Sequence, residues 1–178
     1  IYVSNYLRGV LPSGMRFVRL EEELKLVDNY LEIQKIMRGW KFEYRISCEK
    51  CYYDISIPTL SIQSFVENSV KYASREQGSL VIEVQVKENP ERKGYLSITV
   101  EDNGAGFSAE TLEQLSKGEI KREDNSRQIG ILNVVQRFQL LYGEAAQISF
   151  ENREQGGAKI NILLPETQSA QVMERQEK

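Results

Sequence analysis

Glu101-Asp102-Asn103-Gly104-Ala105-Gly106-Phe107 is the stretch from which the fold of this chain can be read. Residues 94–101 read as a strand, and the aspartate closes it. An aspartate at a strand end followed by Gly-x-Gly sets one carboxylate at the bottom of a backbone turn. Such a carboxylate accepts a hydrogen bond from an exocyclic amine such as that of adenine, and the glycines let a ligand approach the main chain closely. The same residues also suit an ordinary Asp-Asn-Gly turn. No helix opens directly after the glycines, so a Rossmann-type dinucleotide loop is excluded. A P-loop is excluded too, because Gly-Lys-Ser/Thr is missing.

Working outward, residues 79–88 read as the partner strand, joined to 94–101 by the polar turn Glu88-Asn-Pro-Glu-Arg-Lys-Gly94. Upstream, Leu20, Leu24, Val27 and Leu31 recur at helical spacing in 20–38, with Glu21, Glu22 and Glu23 in the first turn. Residues 1–14 look like the tail of another helix, stopped by Pro12 and Gly14. Residues 40–47 and 52–57 read as a strand pair turning at Cys48-Glu-Lys-Cys51, and Pro58-Thr59 opens a helix over 59–74. Downstream, 102–128 is rich in glycine and charge, poor in core residues, and holds one short helix (109–116), which suits a functional lid. A helix over 129–142 and a hairpin of 145–152 and 158–164 follow, with a polar, disordered tail from Glu166. The order predicts an α/β (α+β) two-layer sandwich: a mixed, mostly antiparallel sheet with helices on one face.

Composition narrows the chemistry. The 178 residues suit one domain with a short extra arm, and 28% charged with 40% hydrophobic residues is the balance of a soluble globular chain. There is no histidine, which excludes Ser-His-Asp triads, Cys-His pairs, imidazole bases and histidine-ligated metals within the chain. A net charge of −3 with interspersed signs leaves no footprint for nucleic acid. No apolar run reaches membrane-span length, and Ile1-Tyr-Val-Ser carries no secretory pattern. Cys48 and Cys51 form a lone C-x-x-C, read as a turn in a reducing compartment, with a redox or metal role as the alternative.

Three further elements carry candidate chemistry. On helix 59–74, Ile62, Val66, Val70 and Ala73 share one arc of about 80° at 3.6 residues per turn. Ser64, Asn68, Lys71 and Tyr72 lie opposite them. An amide oxygen can ligate Mg²⁺, a lysine can meet phosphate, and an aromatic ring can flank a purine. An ordinary solvated face with a Glu67/Lys71 pair fits the same residues. Gln128-Ile129-Gly130-Ile131-Leu132-Asn133 opens helix 129–142, where free backbone amides make an anion site. Its apolar residues equally describe a plain amphipathic helix. Gly156-Gly157 alone is a hairpin turn.

Taken in order, these boxes resemble the ATP-binding half of a sensor histidine kinase, within the wider Bergerat (GHKL) ATPase fold. Glu67-Asn68-Ser-Val-Lys71-Tyr72 matches the N box and Asp102-Asn-Gly104-Ala-Gly106 the first glycine box. Gly130-Ile-Leu-Asn133 matches the second and Gly156-Gly157 the last. Leu20-Glu-Glu-Glu-Leu24, Tyr30-Leu-Glu-Ile-Gln34, Arg38, Ile57-Pro58-Thr-Leu-Ser-Ile-Gln63, Asn133-Val-Val-Gln-Arg137-Phe and Leu141-Tyr142-Gly143 look like the LytS-like kinases. The resemblance covers residues 1 to about 165.

It implies that Asn68 holds a Mg²⁺ bridging the phosphates of ATP, that Lys71 meets a phosphate, and that Asp102 bonds the adenine amino group. Gly104, Gly106 and Gly157 would shape the pocket, with Tyr72, Phe107 and Ile131 around it. Residues 107–128 would form a flexible ATP lid, and Gly130 would offer backbone amides. Asn68, Lys71 and Glu67 form the implied catalytic set. Two departures stand out. The first glycine of the second box is Gln128, which implies a weaker lid or phosphate grip. The water-activating glutamate of gyrase-type members falls at Ser64, so rapid hydrolysis is not expected, and Glu67 lies about 100° away from Asn68 around the helix.

The implied reaction moves the γ-phosphoryl of ATP to a histidine on an upstream helix, and from there to the aspartate of a response regulator receiver domain. Residues 1–38 would end the helical dimerisation region, 39–165 would form the ATP-binding domain, and 166–178 the tail. The implied parent is a homodimeric membrane sensor with this part in the cytoplasm. An anti-sigma-type serine kinase, and a degenerate binding module for which Gln128 is the cue, are the alternatives.

Overall fold

The computed structural model describes residues 17–72, 78–117 and 126–166. The helical tail expected over 1–14, the end of helix 59–74, the lid segment 118–125 and the tail beyond residue 166 lie outside the described residues.

A five-stranded sheet forms one layer. Its strands are β2 (Phe42–Cys48), β4 (Leu80–Glu88), β5 (Tyr95–Asp102), β6 (Gln147–Asn152) and β7 (Ala158–Pro165), in spatial order β2-β4-β5-β7-β6. Only β2 and β4 are parallel; the remaining pairs are antiparallel, with Val100 opposite both Val84 and Ile160. One face of the sheet is apolar: Ile82, Val84, Leu96, Ile98, Val100, Ile160, Ile162 and Leu164 are buried. The other alternates to polar residues such as Arg45, Gln85, Lys87, Asn161 and Ser149. Helices α1 (Leu20–Arg38), α2 (Ser61–Tyr72) and α4 (Ser126–Tyr142) cover the apolar face, and α3 (Ala109–Lys117) packs against β6. The two-layer sandwich is the one expected.

The three large helices share one core. Leu20, Val27 and Leu31 of α1, Ile62, Phe65 and Val66 of α2, and Leu132 and Phe138 of α4 belong to a single buried cluster with the sheet. The core therefore runs across the division drawn at residue 38. Helix α2 is the middle helix, packed on α1, α4 and the sheet. Its buried arc is consequently wider than the wheel predicts and takes in Ser61, Gln63 and Ser69.

One expected pairing is wrong. Residues 40–47 and 52–57 do not form a strand pair: β2 pairs with β4, while β3 (Ser56–Pro58) pairs antiparallel with β1 (Phe17–Arg19). The first amides of α1 explain this. A helix N-terminus leaves its leading N–H groups unpaired, and here Leu20 and Glu21 donate theirs to the carbonyls of Ile55 and Tyr53 at 2.7 and 3.1 Å. That draws the chain after the Lys50–Tyr52 turn toward β1 and away from β2.

The three first-turn glutamates of α1 also divide their work. Glu21 pairs with Lys25, and Glu22 accepts from the Arg19 amide at 3.2 Å. Glu23 instead points inward, 1% exposed, and accepts from the backbone of Leu60, Ile62 and Gln63. Burial pushes its carboxyl above the ordinary carboxylate value, and the three N–H donors and the Arg137 guanidinium pull the other way.

Candidate functional site

The last residue of β5, Asp102, is 3% exposed, and its carboxylate is held by three donors of the protein. Oδ1 accepts from the amides of Gly104 at 2.9 Å and Ala158 at 3.2 Å, and Oδ2 accepts from the Ser69 hydroxyl at 2.9 Å. A carboxylate offers about four acceptor positions. Three are therefore taken by the protein, and one remains for a donor in the pocket that Asp102 lines.

The glycine-rich turn is built around that carboxylate. Asn103 extends the ladder beyond Asp102: its amide oxygen accepts from Val81, and its amide nitrogen donates to the Ser79 carbonyl. Gly106 has φ +78°, and a Cβ there would come within 2.6 Å of Asn152 Oδ1. The Asn152 amide in turn clamps the main chain of Phe107, accepting from its N–H at 2.7 Å and donating to its carbonyl at 2.8 Å. Gly157 has φ +100° and passes directly under the turn, where a Cβ would lie 1.9 Å from the Asp102 carbonyl oxygen. Arg153 reaches the same carbonyl at 3.0 Å and holds Glu101 at 3.3 Å. Ring contacts then tie the turn to α2, since Phe150 meets Phe107 and Phe65 edge-on at 6.1 and 6.3 Å.

These elements surround a concave pocket that is partly open to solvent. Asn68, Ser69 and Tyr72 of α2 form one wall, and Gly106, Phe107, Ser108 and Thr111 another. Asp102, Ala158 and Ile131 complete it. Of the residues singled out from the sequence, Asn68, Tyr72, Asp102, Gly106, Phe107 and Ile131 thus meet in one pocket, and Gly104 and Gly157 support its floor.

Lys71, Glu67 and Gly130 stand outside the lining. Lys71 is exposed, its ammonium 5.0 Å from the centre of the Tyr72 ring. Glu67 accepts from the Gln63 amide at 2.9 Å. Helix α4 starts at Ser126 rather than 129, so Gly130 is its fifth residue. The amides without an intrahelical partner are those of residues 126–129, and Gly130 is not the end of the helix.

Four pocket residues were missed: Ser69, Ser108, Thr111 and Ala158. Ser69 carries a signal, because it falls about 20° beyond the edge of the apolar arc of its helix, beside Ile62, and a buried hydroxyl needs a partner. Asn152 carries none. Asn152→Ala should cost about 1 kcal/mol, the net worth of an ordinary solvent-accessible hydrogen bond, and speed amide exchange at Phe107. Thermal melting and hydrogen exchange check this.

The pocket suits a purine nucleotide. An acceptor faces it from a buried floor, the glycines admit a ligand to the main chain, and Tyr72, Phe107 and Ile131 supply flat and apolar walls. The amide oxygen of Asn68 is one hard ligand, which fits Mg²⁺, a cation usually held by one or two protein groups plus phosphates. Among the described residues no cluster of three or more acidic or cysteine side chains offers a self-sufficient metal site.

Comparison with known proteins agrees with this geometry. Sensor histidine kinase/phosphatase LytS of Staphylococcus aureus is 29% identical over 157 residues, which is 86% of this chain. The chain spans only 26% of the length of those curated relatives. Among solved structures, the histidine kinase domain of the Erythrobacter litoralis EL346 blue-light activated histidine kinase superposes with a TM-score of 0.61 at 16% identity, over 96% of this chain and 82% of that one. The catalytic domain of histidine kinase ThkA gives 0.58 at 14% identity, over 86% and 97%. The profile of the histidine kinase-, DNA gyrase B- and HSP90-like ATPases matches residues 54–168, which include the whole pocket. The chain belongs to that family of ATPases.

Proposed function

We propose that the chain is the ATP-binding catalytic domain of a two-component sensor histidine kinase, which passes the γ-phosphoryl of ATP to a histidine upstream of Ile1. The observation that carries the reading is the Asp102 carboxylate, buried under a Gly-x-Gly turn with one acceptor position left toward the pocket. In this reading residues 1–38 bring the end of the dimerisation region onto the ATP-binding unit 39–165, and 166–178 form a tail. The parent would be a homodimer signalling to a response regulator receiver domain, with this part in the cytoplasm. Among the described residues no helix is long and apolar enough to cross a membrane.

In the binding step Asp102 accepts from the adenine amino group, and Gly104, Gly106 and Gly157 bring the main chain against the base. Tyr72, Phe107 and Ile131 flank it. The amide oxygen of Asn68 faces the phosphates, with the Lys71 ammonium at the exposed end of α2 and Glu67 beside it. Gly130 lies one turn into α4, behind the free amides that would meet phosphate. Asn68 would hold a Mg²⁺, which would supply charge neutralisation at the phosphates, the main electrostatic task of phosphoryl transfer. Ser64 supports the expectation of slow hydrolysis. Its hydroxyl donates to the Leu60 carbonyl at 2.6 Å, so no carboxylate or free hydroxyl stands there to activate water. The chain also contains no histidine, so it cannot phosphorylate itself on one.

Incubating the chain with Mg²⁺, γ-labelled ATP and the upstream helical segment of the parent tests the reading. Acid-labile label should move to the added helix and never to the chain alone. Acid-stable label on a serine would replace this reading with a serine kinase. Bound nucleotide with no transfer in either arrangement would leave a binding module.

A further inference from the structure

Helix α2, which carries Asn68 and Lys71, is gripped at both ends, and both grips come from α1. At its start, Glu23 Oε2 accepts from the Leu60 amide at 2.9 Å, and Oε1 accepts from Ile62 and Gln63 at 3.0 and 3.2 Å. Leu60 has φ +61°, a left-handed conformation that a β-carbon disfavours, so this turn depends on what holds it. At the other end, Arg38 Nη2 donates to the Val70 carbonyl at 3.0 Å, with its guanidinium 6.0 Å from the Phe42 ring.

Glu23 and Arg38 lie about 22 Å apart along α1 by its helical rise, a little more than the roughly 18 Å length of the 12-residue α2. The two helices therefore run in the same direction. Parallel neighbours place like dipole ends side by side, and this pair answers that. A carboxylate sits at the positive end of α2 and a guanidinium at its negative end. The grip continues inward: Gln63, capped by Glu23, donates its side-chain amide to Glu67, the neighbour of Asn68.

We propose that Glu23 and Arg38 are positioning residues of the nucleotide site, fixing α2 along its axis and so setting Asn68 and Lys71 relative to Asp102. The assignment rests on the reading of Asn68 and Lys71 as the Mg²⁺ and phosphate contacts. The adenine floor rests chiefly on β5 and β7: the Gly104 and Ala158 amides hold Asp102 Oδ1, while Ser69 of α2 bonds Oδ2, so the floor moves less than the phosphate contacts when α2 shifts. Axial slippage of α2 therefore weakens the phosphate contacts more than the base contacts.

The test compares affinities for Mg·ATP and for adenosine, by calorimetry, in Glu23→Ala, Arg38→Met and Arg38→Lys, alongside thermal melting and amide exchange over residues 64–70. Positioning predicts that Glu23→Ala and Arg38→Met weaken Mg·ATP binding about tenfold or more and adenosine binding less than twofold. Exchange in α2 quickens in both, and Arg38→Lys recovers most of the loss. Arg38 is exposed at the end of α1, so its variants answer the question even if Glu23→Ala does not fold. Folded variants with unchanged affinities, or with both ligands weakened equally, overturn the positioning role alone. A wild-type chain that binds neither ligand overturns the nucleotide reading, and this assignment with it.

Discussion

Asp102→Asn should weaken ATP binding by roughly 10- to 150-fold while leaving the fold intact, the range expected for losing a hydrogen bond to a charged group in a buried site. The two side chains are nearly isosteric. What changes is the pattern of donors and acceptors. The asparagine oxygen must stay where Oδ1 is, because two backbone N–H groups from Gly104 and Ala158 point at it. The amide nitrogen is then forced into the Oδ2 position. Ser69 can turn its hydroxyl to accept from it, so the protein loses little. The remaining N–H points into the pocket, where it meets the amino group of adenine donor to donor. Calorimetric titration with a non-hydrolysable ATP analogue measures the loss, and melting confirms the fold. Wild-type affinity in a folded Asp102→Asn protein would remove the adenine contact from the site.

Gly157→Ala is expected to be worse for the protein as a whole. The added methyl would stand 1.9 Å from the Asp102 carbonyl oxygen, so the hairpin and the end of β5 must separate. Backbone strain at φ +100° adds to that. Together the two effects should destabilise the fold by about 3 kcal/mol or more, lowering the melting temperature by roughly 6–12 °C. Nucleotide binding should fall too, because the Ala158 amide that serves Asp102 moves with residue 157. Gly143→Ala is the control. Its φ is also positive, at +56°, but nothing lies within 4 Å of the added carbon, so only the backbone term applies. Equal melting losses in the two variants would show that the close approach to Asp102 contributes nothing.

How much of this could be read in advance depended on whether the signal was local. Helix α1 begins and ends where its leucine spacing and Arg38-Gly39 place it, and strands β4 and β5 agree with their expected limits to within a residue. Periodicity and turn chemistry act between neighbours, and they were legible. Partnership at a distance was not. Nothing in residues 40–57 says that β2 must pair in parallel with a strand beyond α2, or that the first amides of α1 would claim the carbonyls of Ile55 and Tyr53. Glu23 looked like a third helix-start charge because the dipole argument treats all first-turn glutamates alike. Its place 60° from Leu20, beside the apolar stripe, was the overlooked sign, by the 3.6-residue period. In the pocket, six of the expected residues come together, while Lys71, Glu67 and Gly130 lie outside its lining. Asn152 escaped because any strand-end asparagine looks the same until its partner, Phe107, is known.

The floor of the pocket joins three segments that are far apart along the chain: Ser69, the turn at Asp102, and the hairpin at Gly157 and Ala158. During synthesis the chain emerges N-terminus first, so helix α2 and strands β4 and β5 leave the ribosome long before the hairpin that completes them. Until Ala158 arrives, Asp102 lacks one of its amide donors and the turn lacks its support. A nascent chain, or one cut short before β7, therefore has every N-box residue and still no site. Competence to bind nucleotide comes last, and it reports that the central strands have already paired.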